Sequence, residues 1–189
     1  MKGEKPKNNI EIMQRTSAIL RQIAETVPVK DIKTKKIQTV IEDMKTALSL
    51  QDDGVAIAAP QINISLRIFV VSKKAEMIMK GVEDINDETA KNFQDVTYIN
   101  PEIKKLSKTK KLVDEGCLSV RYAYGKVDRS DKATVTAYDE NGKKFTRGGS
   151  GLLAQIFQHE IDHLNGVLFT DKAINLQETP PLELKNDNQ

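Results

Sequence analysis

Two histidines stand four residues apart in His159-Glu160-Ile161-Asp162-His163, and they are the only histidines in the chain. On a helix, that spacing puts both imidazoles one turn apart on one face, where they can share a single divalent cation. Glu160, beside the first imidazole, projects to the side of such an ion and can take and return the proton of a water there. On the helical wheel Leu152, Ile156, His159 and His163 form one stripe, and Leu153, Phe157, Glu160 and Leu164 form the next. Gln155, Gln158, Asp162 and Asn165 fall on the far side. Both histidines and the glutamate therefore face inward, with Asp162 facing out, solvated or orienting a neighbour. One inward histidine would read as a satisfied core residue. Two at this spacing, beside a carboxylate that is costly to bury without a cation, point to a metal.

A catalytic ion commonly takes three protein ligands and leaves a fourth position for water. Cys117, in Glu115-Gly116-Cys117-Leu118-Ser119, is the single cysteine and a candidate third ligand as its thiolate. A lone cysteine is otherwise a buried, inert residue. One cysteine also excludes an intramolecular disulfide, which suits a reducing compartment. The third segment is Gly54 to Gln61, where glycine and alanine let a backbone come close to another chain or a ligand. Gln61 in isolation would be a polar residue after a turn.

The surrounding pattern predicts the elements that position these segments. Residues 1–9 are polar and lysine-rich and read as a flexible arm. Ile10 to Met13 reads as extended, followed by a short helical stretch carrying Ile19, Leu20 and Ile23. Apolar residues at Ile37, Val40, Ile41, Met44 and Leu48 predict a helix from about Asp31, as N-cap, to Leu50. Strands are expected at Leu66 to Val71, at Val96 to Ile103, interrupted or ended by Pro101, and at Leu112 to Val120. Residues 73–94 are charged and weakly periodic and read as a surface insertion with a helical turn. Asn141-Gly142 predicts a hairpin joining Ala133–Tyr138 to Lys143–Thr146. Ser150 is the expected N-cap of the metal-motif helix, with Gly166 just past its end. The chain after Lys172 reads as a frayed tail, 173–189. The sum is one catalytic domain, 10–172, of α+β class, with antiparallel-rich β-sheets packed around a central helix carrying the HExxH motif.

The bulk numbers narrow the function classes. A chain of 189 residues, 39% hydrophobic and 30% charged, suits one soluble domain with a real core. A net charge of +2 argues for neither specific nucleic acid nor an anionic membrane. No apolar run approaches a membrane span, and the N-terminus has no apolar core of a signal peptide. The expected location is the cytoplasm, and the expected state is a monomer.

Three segments, in order, resemble the motifs of the peptide deformylase family: GVAIAAPQ at 54–61, EGCLS at 115–119 and QHEIDH at 158–163. The similarity runs from about Ile10 through Phe169. The resemblance implies hydrolysis of the N-formyl group from the N-terminal formyl-methionine of newly made polypeptides, releasing formate. It implies that Cys117, His159 and His163 hold one divalent ion, Fe²⁺ in vivo, with Zn²⁺, Ni²⁺ or Co²⁺ as substitutes. It further implies Glu160 as general acid and base, and Gln61 with the Leu118 N–H as donors to the formyl oxygen. Gly54, Val55, Ala56 and Ile57 would line the substrate backbone like an added strand, and Tyr124, Leu152 and Ile156 would border the methionine pocket. The implied partners are nascent formyl-methionyl chains, with a transient ribosome contact. Three features depart from the family pattern: Ala56 where a second glycine is usual, Arg121 where proline is common, and a long charged stretch between Gln61 and Glu115.

Two other readings compete. His159 to Gly166 matches the opening of a zinc-endopeptidase signature, H-E-x-x-H-x-x-G, but that signature wants a third histidine where Phe169 stands. A catalytically quiet homologue that binds nascent chains is the other, favoured only by Ala56 and Arg121.

Overall fold

The computed structural model describes residues 10–82 and 88–179. The expected N-terminal arm, residues 83–87 of the charged stretch, and residues 180–189 of the tail lie outside them.

Helix α1 (Lys35–Ser49) buries Ile37, Val40, Ile41, Met44, Ala47 and Leu48, which is the predicted stripe with one alanine added. Ile41 and Met44 are essentially sealed from solvent, so each contributes about 1.5–3 kcal/mol of transfer free energy. The helix starts later than the sequence pattern suggests. Asp31 belongs to a preceding 3-10 turn, Val29–Asp31, and Thr34 is the N-cap residue. The Thr34 hydroxyl donates to the Asp31 carbonyl at 2.7 Å, so Asp31 serves the turn before the helix. The stretch with Ile19, Leu20 and Ile23 is a single 3-10 turn, Ala18–Arg21; Leu20 is buried and Ile23 exposed.

Two antiparallel sheets follow. The larger has the order β1 (Ala56–Ala58), β2 (Ile68–Val71), β3 (Val96–Leu106), β6 (Lys132–Tyr138), β7 (Lys144–Ser150). The smaller is β4 (Lys110–Cys117), β5 (Val120–Ser130) and β8 (Ile174–Glu178). Pro101 does not end β3; the register shifts between Ile99 and Glu102 and the strand continues, as a bulge permits. The segment read as one extended piece from Leu112 to Val120 is the end of β4, a two-residue turn at Leu118-Ser119, and the start of β5. The strand β5 had no expectation attached to it. Its inward positions are Ala123, Gly125, Val127 and Arg129, an alternation interrupted by a glycine and a charge. The tail is not simply frayed: Ile174–Glu178 pairs with β5.

The charged stretch also carries more structure than expected. Ser72 accepts the Lys74 N–H at 3.2 Å and caps helix α2 (Lys73–Met79), whose Ala75 and Met77 are fully buried. Helix α2 packs on helix α3 (Leu152–Leu164), so this part of the stretch belongs to the core.

Helix α3 touches strands of both sheets. Phe157 meets Tyr98 edge-on at 5.3 Å, and Tyr98 stacks on Phe69 at 4.5 Å, which ties the helix to the larger sheet through aromatic contact. The N-cap is Gly151, not Ser150. Strand β7 runs through Ser150, and the chain turns into α3 at φ +54°, ψ −127°, a backbone state open to glycine. At the other end Gly166 has φ +74°, and a β-carbon there would come within 2.8 Å of the Arg21 backbone. That glycine both stops the helix and lets the N-terminal segment cross it closely.

Candidate active site

Two elements converge on one point. The end of β4 delivers Cys117, and α3 delivers His159 and His163. One ligand atom from each lies within 4.8 Å of the other two. Cys117 Sγ is 3.1 Å from His163 Nε2. Burial alone would raise the Cys117 thiol, but the charge of His163 and hydrogen bonding from both imidazoles overcome it and favour the thiolate. The thiolate is the ligating form of cysteine.

The His159 ring is oriented from behind. Its Nδ1 lies 3.0 Å from Glu115 Oε2, leaving Nε2 for the site. Glu115 is buried and held by Arg129 through two bonds, Nε–H to Oε1 at 2.7 Å and Nη2–H to Oε2 at 3.0 Å. Burial pushes the Glu115 carboxyl up, but hydrogen bonds and charge from His159 and Arg129 outweigh it and hold it at about 2. Arg129 also donates to Asp162 at 2.6 Å, and Lys172 bonds the same carboxylate. Asp162 therefore does not simply face water; it orients a neighbour. Gln158, expected on the outer side, is buried and exchanges two hydrogen bonds with the Ser130 backbone. Both exceptions have one cause: β5 covers the helix face that the wheel assigns to solvent.

Removing Arg129 tests this support. Arg129→Met leaves a buried carboxylate facing only an imidazole, and breaking a buried pair from one side costs about 3–5 kcal/mol. Urea unfolding should register that loss; a change near zero would mean that Glu115 needs no cation.

Glu160 lies beside the ligands, buried, and its Oε2 has no hydrogen-bond partner. Burial raises its pKa, opposed by the charge of both histidines. His163 Nδ1 is likewise buried without a partner. A thiolate and two imidazoles meeting beside an unpartnered buried carboxylate suit a single divalent cation, so the residues present fit a metal.

Gln61 is buried and fixed. Its Oε1 accepts the Ala58 N–H at 2.8 Å, which turns its amide nitrogen toward Ser119 Oγ at 3.1 Å and Cys117 Sγ at 3.6 Å. A cleft of about 380 Å³ opens over Cys117, His159 and Glu160. Gly54, Val55, Ala56, Leu118, Tyr124, Leu152 and Ile156 line it. Ile57 does not: it is sealed in the core beside α1, pointing to the opposite face of β1 from Ala56. Arg121 reaches across the mouth to Asp53 at 3.1 Å and also bonds Gln51. Phe169, where the endopeptidase signature wants a histidine, is buried and lies nearly parallel to the His159 ring at 6.3 Å.

Sequence reasoning gave no role to Glu115, Arg129 or Ser119. Glu115 sat inside a quoted motif without a role. Arg129 would have been found by reading β5, where it is the one charge on the inward alternation.

An HExxH helix face met by a cysteine from a strand turn, with a buried free carboxylate beside them, belongs to the metallohydrolase class. The model of the polypeptide deformylase family matches residues 10–179. A peptide deformylase 2 of Clostridium acetobutylicum is 40% identical over 153 residues, covering 81% of this chain and 87% of the relative. A peptide deformylase 1A of Arabidopsis thaliana, chloroplastic/mitochondrial, is 38% identical over 91% of this chain, which spans 65% of that longer relative. The Met-Ala-Ser-bound crystal structure of a class I type b peptide deformylase from Acinetobacter baumannii has a TM-score of 0.72 at 32% identity, covering 86% of this chain and 98% of that one. The chain belongs to the polypeptide deformylase family.

Proposed function

We propose that the protein hydrolyses the N-formyl group of nascent formyl-methionyl polypeptides, with Cys117, His159 and His163 holding one divalent ion. Fe²⁺ is the working ion in this reading, and Zn²⁺, Ni²⁺ or Co²⁺ would fit the same mixed sulfur–nitrogen set. When bound, the ion polarises the formyl carbonyl and makes a water acidic enough to lose a proton near neutral pH. A thiolate ligand weakens that acidification relative to three neutral imidazoles. Glu160 compensates: its raised pKa and open Oε2 suit a base that takes the water's proton. The water oxygen adds to the formyl carbon, and negative charge grows on the formyl oxygen. The Gln61 amide and the Leu118 N–H donate to that oxygen. Glu160 then gives its proton to the departing amine, the C–N bond breaks, and formate and a free methionine amine leave. Leu152, Ile156 and Tyr124 border the methionine side chain.

The observation that supports this reading is the convergence of Cys117, His159 and His163 beside the unpartnered Glu160 carboxylate. The A. baumannii relative that holds Met-Ala-Ser suggests the product shape. The endopeptidase and non-catalytic readings gain nothing from the family match or the relatives' names. The reading places the work in the cytoplasm; among the described residues no helix is long and apolar enough to cross a membrane. Protein purified without oxygen should release formate from formyl-Met-Ala-Ser, lose that activity to a chelator and regain it with Fe²⁺. Cleavage of internal peptide bonds, or no formate in the metal-loaded protein, would overturn it.

A further inference from the structure

The turn joining β3 to β4 reads Lys104-Lys105-Leu106-Ser107-Lys108-Thr109-Lys110-Lys111, five lysines in eight residues. Lys132, at the start of β6, lies beside it, since the Ser107 N–H donates to the Lys132 carbonyl at 2.9 Å. Three of these lysines have carboxylate partners: Lys104 with Glu102, Lys110 with Asp128 and Lys111 with Asp131. Among the described residues Lys105, Lys108 and Lys132 have none, and all three are exposed. The three leave a local excess of positive charge on this tip.

That tip is built, not loose. The Ser107 hydroxyl donates to the Thr109 carbonyl at 2.7 Å and accepts the Lys132 N–H at 3.0 Å. Ser130 Oγ–H bonds the Ser107 carbonyl at 3.1 Å, and the Asp131 N–H bonds the Thr109 carbonyl at 3.0 Å. The β3–β4 connection is therefore locked to the turn between β5 and β6, and the lysine stems start from fixed points. Strand β4 runs from Lys110 to Cys117. At ~3.3 Å per residue the tip stands ~23 Å from the cleft, far enough to be occupied while a substrate is bound.

We propose that this β3–β4 turn docks on the phosphate backbone of structured RNA, through Lys105, Lys108 and Lys132. Lysines act as point charges on phosphates and set position without reading sequence. A membrane is disfavoured because Leu106 is the one exposed apolar side chain of the turn, too little to bury in lipid alongside charge. A protein partner is disfavoured because the turn offers no aromatic or arginine anchor. The choice of RNA among polyanions rests on the deformylase reading, in which the substrate is a newly made chain still near the RNA that made it.

The test compares the parent with Lys105→Glu/Lys108→Glu/Lys132→Glu, using a fluorescent RNA stem-loop, vesicles of phosphatidylglycerol in phosphatidylcholine, and polyaspartate. The parent should bind the stem-loop with a log–log salt slope of about −3 to −5, for three to six phosphates. The triple variant should bind at least about tenfold more weakly, with a slope shallower by about 2–3. Its formate release from free formyl-Met-Ala-Ser should equal the parent's, which shows that it is folded. Equal RNA affinity in parent and variant overturns the proposal, as does tighter parental binding to vesicles or polyaspartate than to RNA. RNA binding that the variant loses, in a parent that releases no formate, supports the docking site and overturns only the deformylase reading.

Discussion

Glu160→Gln should keep its metal and lose turnover by about 10²–10⁴-fold. The substitution preserves volume in a buried position, so it creates no cavity. It removes the unpartnered carboxylate that the proposed mechanism uses to accept a proton and hand it on. The three proposed ligand atoms are untouched, and the Glu115–Arg129–Asp162 support behind His159 does not include Glu160. Metal analysis and formate release on the same preparation decide the matter. A variant that retains more than a tenth of parental turnover would show that the proton travels by another route.

Cys117→Ser should release the metal. Losing a partner that merely orients a ligand typically costs about 10–100-fold in metal affinity, so losing a thiolate ligand should exceed 100-fold. A serine hydroxyl does not ionise near neutral pH, and it shortens the reach into the site. The side chain is also a neighbour of Gln61 Nε2 at 3.6 Å, so carbonyl positioning suffers with the ion. Competition against a graded chelator series measures the affinity, and unchanged metal content would rule out Cys117 as a ligand.

The chemistry was more legible in the sequence than the fold that carries it. The histidine pair, the adjacent glutamate and the inward face of α3 follow from helical spacing, because a period of 3.6 residues is a local property. The core stripe of α1 was readable for the same reason. What could not be read depends on long-range contact. β5 escaped notice because Gly125 and Arg129 break its apolar alternation, and both are tolerated only by what they meet across the sheet and helix. With β5 unseen, helical spacing places Gln158 on the far side and reads Asp162 as solvated or orienting a neighbour, although β5 covers that face of α3. β8 is exposed along its length, so its sequence carries no burial pattern at all. Ile57 was grouped with the cleft because the motif is contiguous, while a strand sends neighbouring side chains to opposite faces. The start of α3 was misplaced by one residue because a serine is a good cap, but the strand before it consumes that serine and the bend requires glycine.

The carboxylate–guanidinium–carboxylate chain behind His159 has a consequence for how the protein lives with its ion. One imidazole is aimed by groups that belong to the fold itself, and the cysteine sits at the end of a long paired strand. The proposed receptacle is thus held by packing and sheet pairing that belong to the fold. Small zinc modules, by contrast, fold only around their metal. Under the proposed function, exchange of one transition ion for another should therefore be a local event that leaves the fold intact.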